Sequence, residues 1–373
     1  MRPIEVTEAI SVYAVANVPV MLWGQPGIGK SDIVRQLAAK TPGKFLNPKT
    51  GKKERKVFDV RLALLDPTDL RGIPYYDPEQ KTARWGQSCI LPMMGREEDE
   101  DAILFLDEIN SAPPVIQAAA YQLVLDRKVG EYELPKGVTI IAAGNRQSDK
   151  GVTFQMPTPL LNRFAHIDFS VSNDDWIEFA VGAGIHPSIV GFINFKKDML
   201  NNFDKRGKGS AFATPRAWAF LDRVLRAAEA AGTKDTMIRK LADGVVGEGA
   251  AVEFMSYRKS AEKLPNPDSI LDGTLKKLPD DVKQDISIHF ALVTSLVAAI
   301  KERFEAANRN AKDEKFAKAG GNFLKFLNTE LKDELALFGI RSAMKTHQVM
   351  LATLPEFRTD VNQKFQKVLA MVG

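Results

Sequence analysis

The sequence predicts an α/β fold: a parallel-sheet core followed by helices alone. Three observations carry this prediction. Short β-rich apolar runs alternate with helical patterns over residues 1–170, one of those runs leads directly into the octapeptide GQPGIGKS at 24–31, and beyond Ser170 no convincing strand pattern recurs. Strand and helix in alternation imply parallel strands joined by crossover helices.

Taken in chain order, residues 18–23 form the first strand and 31–40 the first crossover helix, its apolar residues recurring at helical spacing. Residues 57–62 form a second strand. The four apolar residues at 103–106 form a third, which ends in Asp107 and Glu108 and precedes a helix over 114–126. Strands at 138–143 and 166–169 complete the core, and helices at 174–181, 215–231 and 282–305 represent the rest. Thr214, Pro215 and Arg216 read as an N-cap, a first-turn proline and a first-turn arginine ahead of an amphipathic helix. The most apolar stretch, 290–300, is a buried helix, far short of the roughly 20 apolar residues a membrane span needs. Turn formers and charge at 201–211 and 263–281 mark candidate linkers.

Composition excludes more than it assigns. With 51 basic and 47 acidic residues, the net charge of +4 gives no argument for a nucleic-acid or membrane partner. Residues 40–56 hold seven basic side chains against the single acid Glu54, which reads either as a solvated loop or as a phosphate-binding patch. One cysteine, Cys89, cannot form an internal disulfide, and the N-terminal stretch lacks an apolar signal core, so a reducing cytoplasm is expected. Cys89 itself is expected to be a buried small residue. The four histidines are scattered without metal-ligand spacing, and Trp23, Trp85, Trp176 and Trp218 read as core or hairpin packing.

Gly24, Gly29, Lys30 and Ser31 satisfy G-x-x-x-x-G-K-S between a strand and a helix, which is the context the P-loop requires. Phosphate oxygens must approach bare backbone N–H groups around a turn that side chains would block, and the helix N-terminus adds positive potential. Gly24, Gln25, Pro26, Gly27, Ile28, Gly29, Lys30, Ser31 and Asp32 are therefore the expected nucleotide-binding residues, Lys30 reaching the β and γ phosphates and Ser31 ligating Mg²⁺.

Holding a nucleotide needs only the loop, whereas hydrolysis needs a carboxylate that activates water beside the metal. Asp107 and Glu108 emerge where ligands of open α/β sheets bind, which casts Asp107 as a second Mg²⁺ ligand and Glu108 as the base. Asn145, just past the strand at 138–143, is placed to hold the attacking water, though an asparagine in an ordinary turn reads the same way. Arg163 ends a helical turn and reads either as a γ-phosphate ligand or as half of a surface ion pair. Arg216 gains nothing from a helix N-terminus, which favours anions, and that mismatch hints at a phosphate ligand.

In this order the motifs resemble those of an AAA+ ATPase of the MoxR-type, dynein-related group: GQPGIGKS as Walker A, ILFLDEIN as Walker B, IIAAGN as sensor 1, LLNRF as the arginine finger and TPRAW as sensor 2. Residues 69–79 with Arg84 and Trp85 look like the hairpin inserted in helix 2 of MoxR-like members, and Asn110 to Pro114 followed by Gln117 is also similar to them. The resemblance implies a P-loop core at 1–170, a helical lid at 171–260 and a helical C-terminal extension at 261–373. It further implies ATP and Mg²⁺ as cofactors, a homo-oligomeric and generally hexameric ring, and catalytic roles for Glu108, Asn145, Arg163 and Arg216, with Arg163 acting on a neighbour's nucleotide. Members of the group commonly remodel a client protein, often one carrying a von Willebrand factor A domain. Two departures stand out. Arg146 replaces the usual proline after Asn145, making it a second candidate for the trans-acting arginine, and Asn162 replaces the usual aspartate before Arg163. A nucleic-acid motor of the same branch is the alternative, supported only by the basic residues at 44–56. The residues do not distinguish ATP from GTP.

Overall fold

The computed structural model describes residues 1–146, 149, 153–202, 211–261, 264–283 and 286–361. The chain divides into two compact units, Met1–Ser172 and Asn173–Gly373.

The first unit opens with helix α1 (Pro3–Val15), strand β1 (Val20–Trp23) and helix α2 (Lys30–Lys40). A small hairpin of β2 (Phe45–Leu46) and β3 (Lys53–Glu54) leads into strand β4 (Val57–Arg61). Helix α3 (Pro67–Arg71) then introduces a longer hairpin, β5 (Ile73–Asp77) paired with β6 (Thr82–Gly86). Strand β7 (Ile103–Asp107) and helix α4 (Pro114–Asp126) come next, followed by the short pair β8 (Lys128–Val129) and β9 (Tyr132–Glu133). Strand β10 (Thr139–Gly144), helix α5 (Thr158–Leu161) and strand β11 (Ala165–Asp168) close the unit.

Five strands form one all-parallel sheet in the order β11-β1-β10-β7-β4. Strand β1 begins at Val20 rather than at residue 18 because Pro19 has no N–H to give a ladder. Successive strand residues face opposite sides. Leu22, Phe105 and Ile141 pack with Val6 and Ile10 of α1 and Val34 of α2, while Met21, Leu104 and Ile140 pack with Ile116 and Leu123 of α4. Burial on both faces explains the nearly unbroken apolar runs of β7 and β10. Register aligns Trp23 with both Gly144 and Asp168, and Arg61 with Asp107, so the loops after β1, β10, β11 and β7 leave from one edge.

Three of the seven basic residues of segment 40–56 are bonded within the fold, while Lys40, Lys49, Lys52 and Lys53 are exposed. Lys44 bonds Glu100, and Lys56 bonds Glu98 and Asp99 at 2.6 and 2.7 Å. The Arg55 guanidinium donates to the Asp101 and Ala102 carbonyls and to Thr139 Oγ1, and burial pulls its pKa down. Cys89, expected inside, is exposed, because it lies in the irregular segment after β6 rather than on an element that faces the core. The β5–β6 hairpin expected from residues 69–85 is present, and it leaves Ile73, Tyr75 and Tyr76 exposed.

The second unit has no strand among its described residues. Its helices are α6 (Asn173–Gly182), α7 (Pro187–Phe195), α8 (Pro215–Ala230), α9 (Asp235–Val246), α10 (Glu248–Ala261), α11 (Pro267–Leu271), α12 (Asp280–Lys283), α13 (Ile286–Ala306), α14 (Glu314–Glu330) and α15 (Asp333–Arg341). Thr214 caps α8 by accepting the Ala217 N–H at 3.1 Å, with Pro215 in the first turn, as its sequence anticipates. An aromatic cluster anchors the core, Phe192 standing 5.5 Å from Trp218 and 5.6 Å from Phe254 between ring centres. Helices on both sides of residue 261 share this core: a Cβ on Gly191 of α7 would lie 3.3 Å from the Ala291 Cα of α13. Most of the candidate linker at 201–211 lies outside the described residues. The one at 263–281 is packed structure from residue 264 onward. Its turn formers are helix punctuation, with Asn266 capping α11 and Pro267 opening it, while Ile270 and Leu271 are buried and Arg303 pairs with Asp268 and Asp272. None of the described helices is long and apolar enough to cross a membrane.

Two histidines make this unit sensitive to acid. His186 caps α7 by accepting the Ser188 N–H at Nδ1, and its Nε2 faces Glu229 at 3.2 Å. Burial lowers its pKa, with Arg226 and Arg258 adding to that effect and Glu229 and Asp222 opposing it. Burial also lowers the pKa of His347, reinforced by Lys301. The unfolded chain therefore takes up these protons first as pH falls. The stability both groups contribute is complete above the ordinary histidine pKa of about 6.5 and is lost as pH drops from there towards the folded values. Thermal unfolding followed at pH 7.5 and 5.5 is expected to show a lower midpoint at the acid end, and His186→Asn, which can still cap α7, is expected to reduce the difference.

Candidate active site

The loop after β1 is a backbone cradle. The Gly24 N–H donates to the Gly144 carbonyl at 3.3 Å, tying the loop's start to the end of β10. A Cβ at Gly24 would come within 2.6 Å of Ile28 Cδ1 and 3.0 Å of the Phe169 carbonyl, so no side chain fits. Gly27 and Gly29 have φ of 78° and 102°, a left-handed geometry that glycine adopts without steric cost. Gly29 occupies the N-cap of α2 and supplies no side-chain acceptor, so the first-turn N–H groups of α2 remain available to an anion.

Lys30 is 8% exposed, and its ammonium donates to the Gly24 and Gln25 carbonyls at 2.6 and 3.0 Å and to Asn145 Oδ1 at 2.9 Å. One cation thus joins the loop to the end of β10. Ser31 Oγ donates to Asp107 Oδ2 at 3.0 Å, which brings a hydroxyl and a carboxylate from α2 and β7 to one point. Such hard oxygens suit Mg²⁺. Among the described residues no group of three or more His, Cys, Asp or Glu side chains could hold a metal. A divalent ion at this point would draw its other ligands from phosphate and water, as Mg²⁺ commonly does.

Glu108 follows with φ of 56°, and its N–H bonds Asp107 Oδ1 at 3.0 Å. This left-handed residue bends the chain at the strand's end, and the Glu108 side chain is exposed. The structure therefore brings Lys30, Ser31, Asp107 and Asn145 into one bonded set with Glu108 adjoining it. Arg163, just past α5, is exposed, and its guanidinium has no recorded partner among the described residues. Arg216 is exposed in the first turn of α8, in the second unit. Arg146 instead forms an ion pair with Asp168 at the end of β11. Asp32 pairs through its side chain with Arg35, leaving only its main chain to the loop.

Two features escaped the sequence reading. Asn110, whose sequence context assigns it no role, is 4% exposed and bonds both main-chain polar groups of Asn145. Trp23 is half-buried and packs against the core. Its indole N–H donates to His166 Nδ1 at 2.8 Å, the two rings lie nearly parallel with centres 6.1 Å apart, and both line a cavity of about 590 Å³ beside Asn145. That cavity adjoins the bonded set without including Lys30 or Ser31, because the phosphate loop is an open cradle of backbone rather than an enclosed pocket.

Residues 19–164 match the family model of the AAA domain, dynein-related subfamily. Among solved structures, the chain resembles an ATPase described as putative from Cytophaga hutchinsonii at 13% identity, covering 98% of this chain and 88% of that one with a TM-score of 0.33. It also resembles a RuvB point mutant from Thermotoga maritima, at 16% identity, 72% and 73% coverage and a TM-score of 0.36. A third likeness is to NtrX from Brucella abortus in complex with ADP, at 15% identity, 83% and 67% coverage and a TM-score of 0.37. The family match, which spans the loop, Asp107, Glu108, Asn145 and Arg163, is what bears on the chemistry.

Proposed function

We propose, from the premise that residues 19–164 form an AAA domain of the dynein-related subfamily, that this protein hydrolyses ATP with Mg²⁺ and uses the cycle to remodel a partner protein in the manner of MoxR-type ATPases. The observation that carries the reading is the convergence of Ser31 on Asp107 and of Lys30 on Asn145 at the same sheet edge. A loop that only held nucleotide would need neither contact.

In this reading the N–H groups at the start of α2 and the Lys30 ammonium bind the phosphates, and Lys30 exchanges its loop carbonyls for phosphate oxygens. Ser31 and Asp107 would hold Mg²⁺, which supplies charge neutralisation on the β and γ phosphates. Glu108 takes a proton from the attacking water, and Asn145 orients that water or the γ phosphate. Arg163, exposed and without an ion pair among the described residues, acts on the nucleotide of a neighbouring copy in a ring, and Arg216 of the helical unit acts as the lid's contribution. A cytoplasmic ring acting on a client, including one with a von Willebrand factor A domain, completes the proposal.

The nucleic-acid alternative is the less favoured, since Lys44, Arg55 and Lys56 are bonded within the fold and leave only Lys49, Lys52 and Lys53 of that stretch to a phosphate backbone, whereas the exposed Ile73, Tyr75 and Tyr76 of the β5–β6 hairpin suit a protein surface. The test is steady-state phosphate release by the full chain. Turnover is expected with Mg²⁺ and ATP, is expected to vanish on chelation by EDTA, and is expected not to change on adding single- or double-stranded DNA. Stimulation by DNA that falls steeply with salt would establish the alternative, and absence of turnover with Mg²⁺ present would end the hydrolytic reading.

A further inference from the structure

Asn110 lies in the turn after Glu108, almost fully buried. Its side-chain amide makes two bonds of opposite sense to a single residue: Nδ2 donates to the Asn145 carbonyl at 2.6 Å, and Oδ1 accepts the Asn145 N–H at 3.2 Å. The β7–β10 ladder pairs Ile103 to Leu106 with Thr139 to Ala142 and goes no further. Beyond it, the Asn110 amide takes the place of the next strand residue, satisfying both polar groups of the Asn145 main chain. The Asn145 side chain is left for Lys30, at 2.9 Å.

The surroundings are built around this clamp. A Cβ on Gly144 would stand 2.6 Å from Asn110 Oδ1, so the residue before Asn145 must be glycine for the amide to lie flat against the chain. The main-chain carbonyl of Asn110 in turn accepts the Phe154 N–H at 2.7 Å, at the start of the segment that leads through α5 to Arg163. Aspartate has the length but lacks the donor, glutamine has the groups but is one carbon too long, and leucine has neither group.

We infer that Asn110 is a positioning residue for hydrolysis: its amide holds the main chain of Asn145 in register with Glu108, two residues upstream of itself, so that the base and the water-holding amide meet the γ phosphate together. This rests on the hydrolytic reading above. Both bonds of the Asn110 amide go to the Asn145 main chain, so its loss is expected to act on turnover and to spare binding.

The test uses the full chain with Mg²⁺ and ATP, comparing wild type with Asn110→Ala and Asn110→Asp. Turnover, ADP affinity by calorimetry and hydrogen exchange over residues 139–146 are measured together. Asn110→Ala is expected to lower kcat roughly 10- to 100-fold, the scale of small misplacements in an active site, with ADP affinity within about threefold and exchange faster at Asn145. The near-isosteric Asn110→Asp keeps the packing but sets a buried carboxylate against a carbonyl, which raises its pKa. Protonation restores the donor, so its kcat relative to wild type is expected to rise as pH falls from about 8 to about 6. A kcat equal to wild type, a loss matched by loss of ADP affinity, or an Asn110→Asp profile parallel to wild type would overturn the inference while leaving the hydrolytic reading intact. Absence of turnover in wild type would overturn both.

Discussion

Glu108→Gln is expected to bind ATP and ADP as wild type does and to lose turnover by roughly 10²- to 10⁴-fold, the range that general-base catalysis contributes. The substitution keeps the side chain's length and the left-handed backbone at this position, so the fold has no reason to change. It also leaves untouched the contacts that would bind phosphate, which come from the loop, Lys30, Ser31 and Asp107. Binding measured by calorimetry against phosphate release at saturating ATP separates the two effects. If the variant turned over at the wild-type rate, Glu108 would not be the base; if it lost binding as well, its role would be structural.

Arg163→Ala is expected to lower turnover by roughly 10³-fold or more, given the 10³ to 10⁵ that an arginine directed at a γ phosphate supplies. The effect on nucleotide affinity should be small, since the side chain is exposed and forms no ion pair among the described residues. Mixing makes the test sharper. In a ring holding both Arg163→Ala and Glu108→Gln subunits, some interfaces pair an intact Glu108 with an intact Arg163, so activity is expected to return although each variant alone is inactive. Failure to complement would place Arg163 in its own subunit's site or outside catalysis. Arg146→Ala serves as the comparison. Its guanidinium is engaged by Asp168, and a smaller loss is expected there.

Much of the core was legible because buried parallel strands and a phosphate loop leave strong local signals. The apolar runs at β1, β7 and β10 announce strands buried on both faces, and the glycines of GQPGIGKS mark a tight turn, with a close approach at Gly24 and left-handed backbone at Gly27 and Gly29. Less legible were features that depend on what lies across from a residue. The basic stretch at 40–56 reads either as a solvated loop or as a phosphate-binding patch until Glu98, Asp99 and Glu100 are seen to engage Lys44 and Lys56 from the far side of a long insertion. The turn formers at 263–281 read as a linker until Ile270 and Leu271 are seen to be buried. Cys89 reads as core until its place in an irregular segment is known.

By itself the sequence determined which functional groups are available to the proposed site. A glycine-rich turn, a lysine, a hydroxyl and two adjacent carboxylates are chemical identities, and their order between apolar runs already places them at strand ends. Only the tertiary structure decided how they combine. That Ser31 meets Asp107, that Lys30 reaches Asn145, and that the Asn110 amide rather than another strand holds the Asn145 main chain all follow from the sheet order β11-β1-β10-β7-β4. That order sets β10 between the strand of the loop and the strand of the carboxylates. Strand order is a property of packing between segments distant in sequence, and no local pattern encodes it.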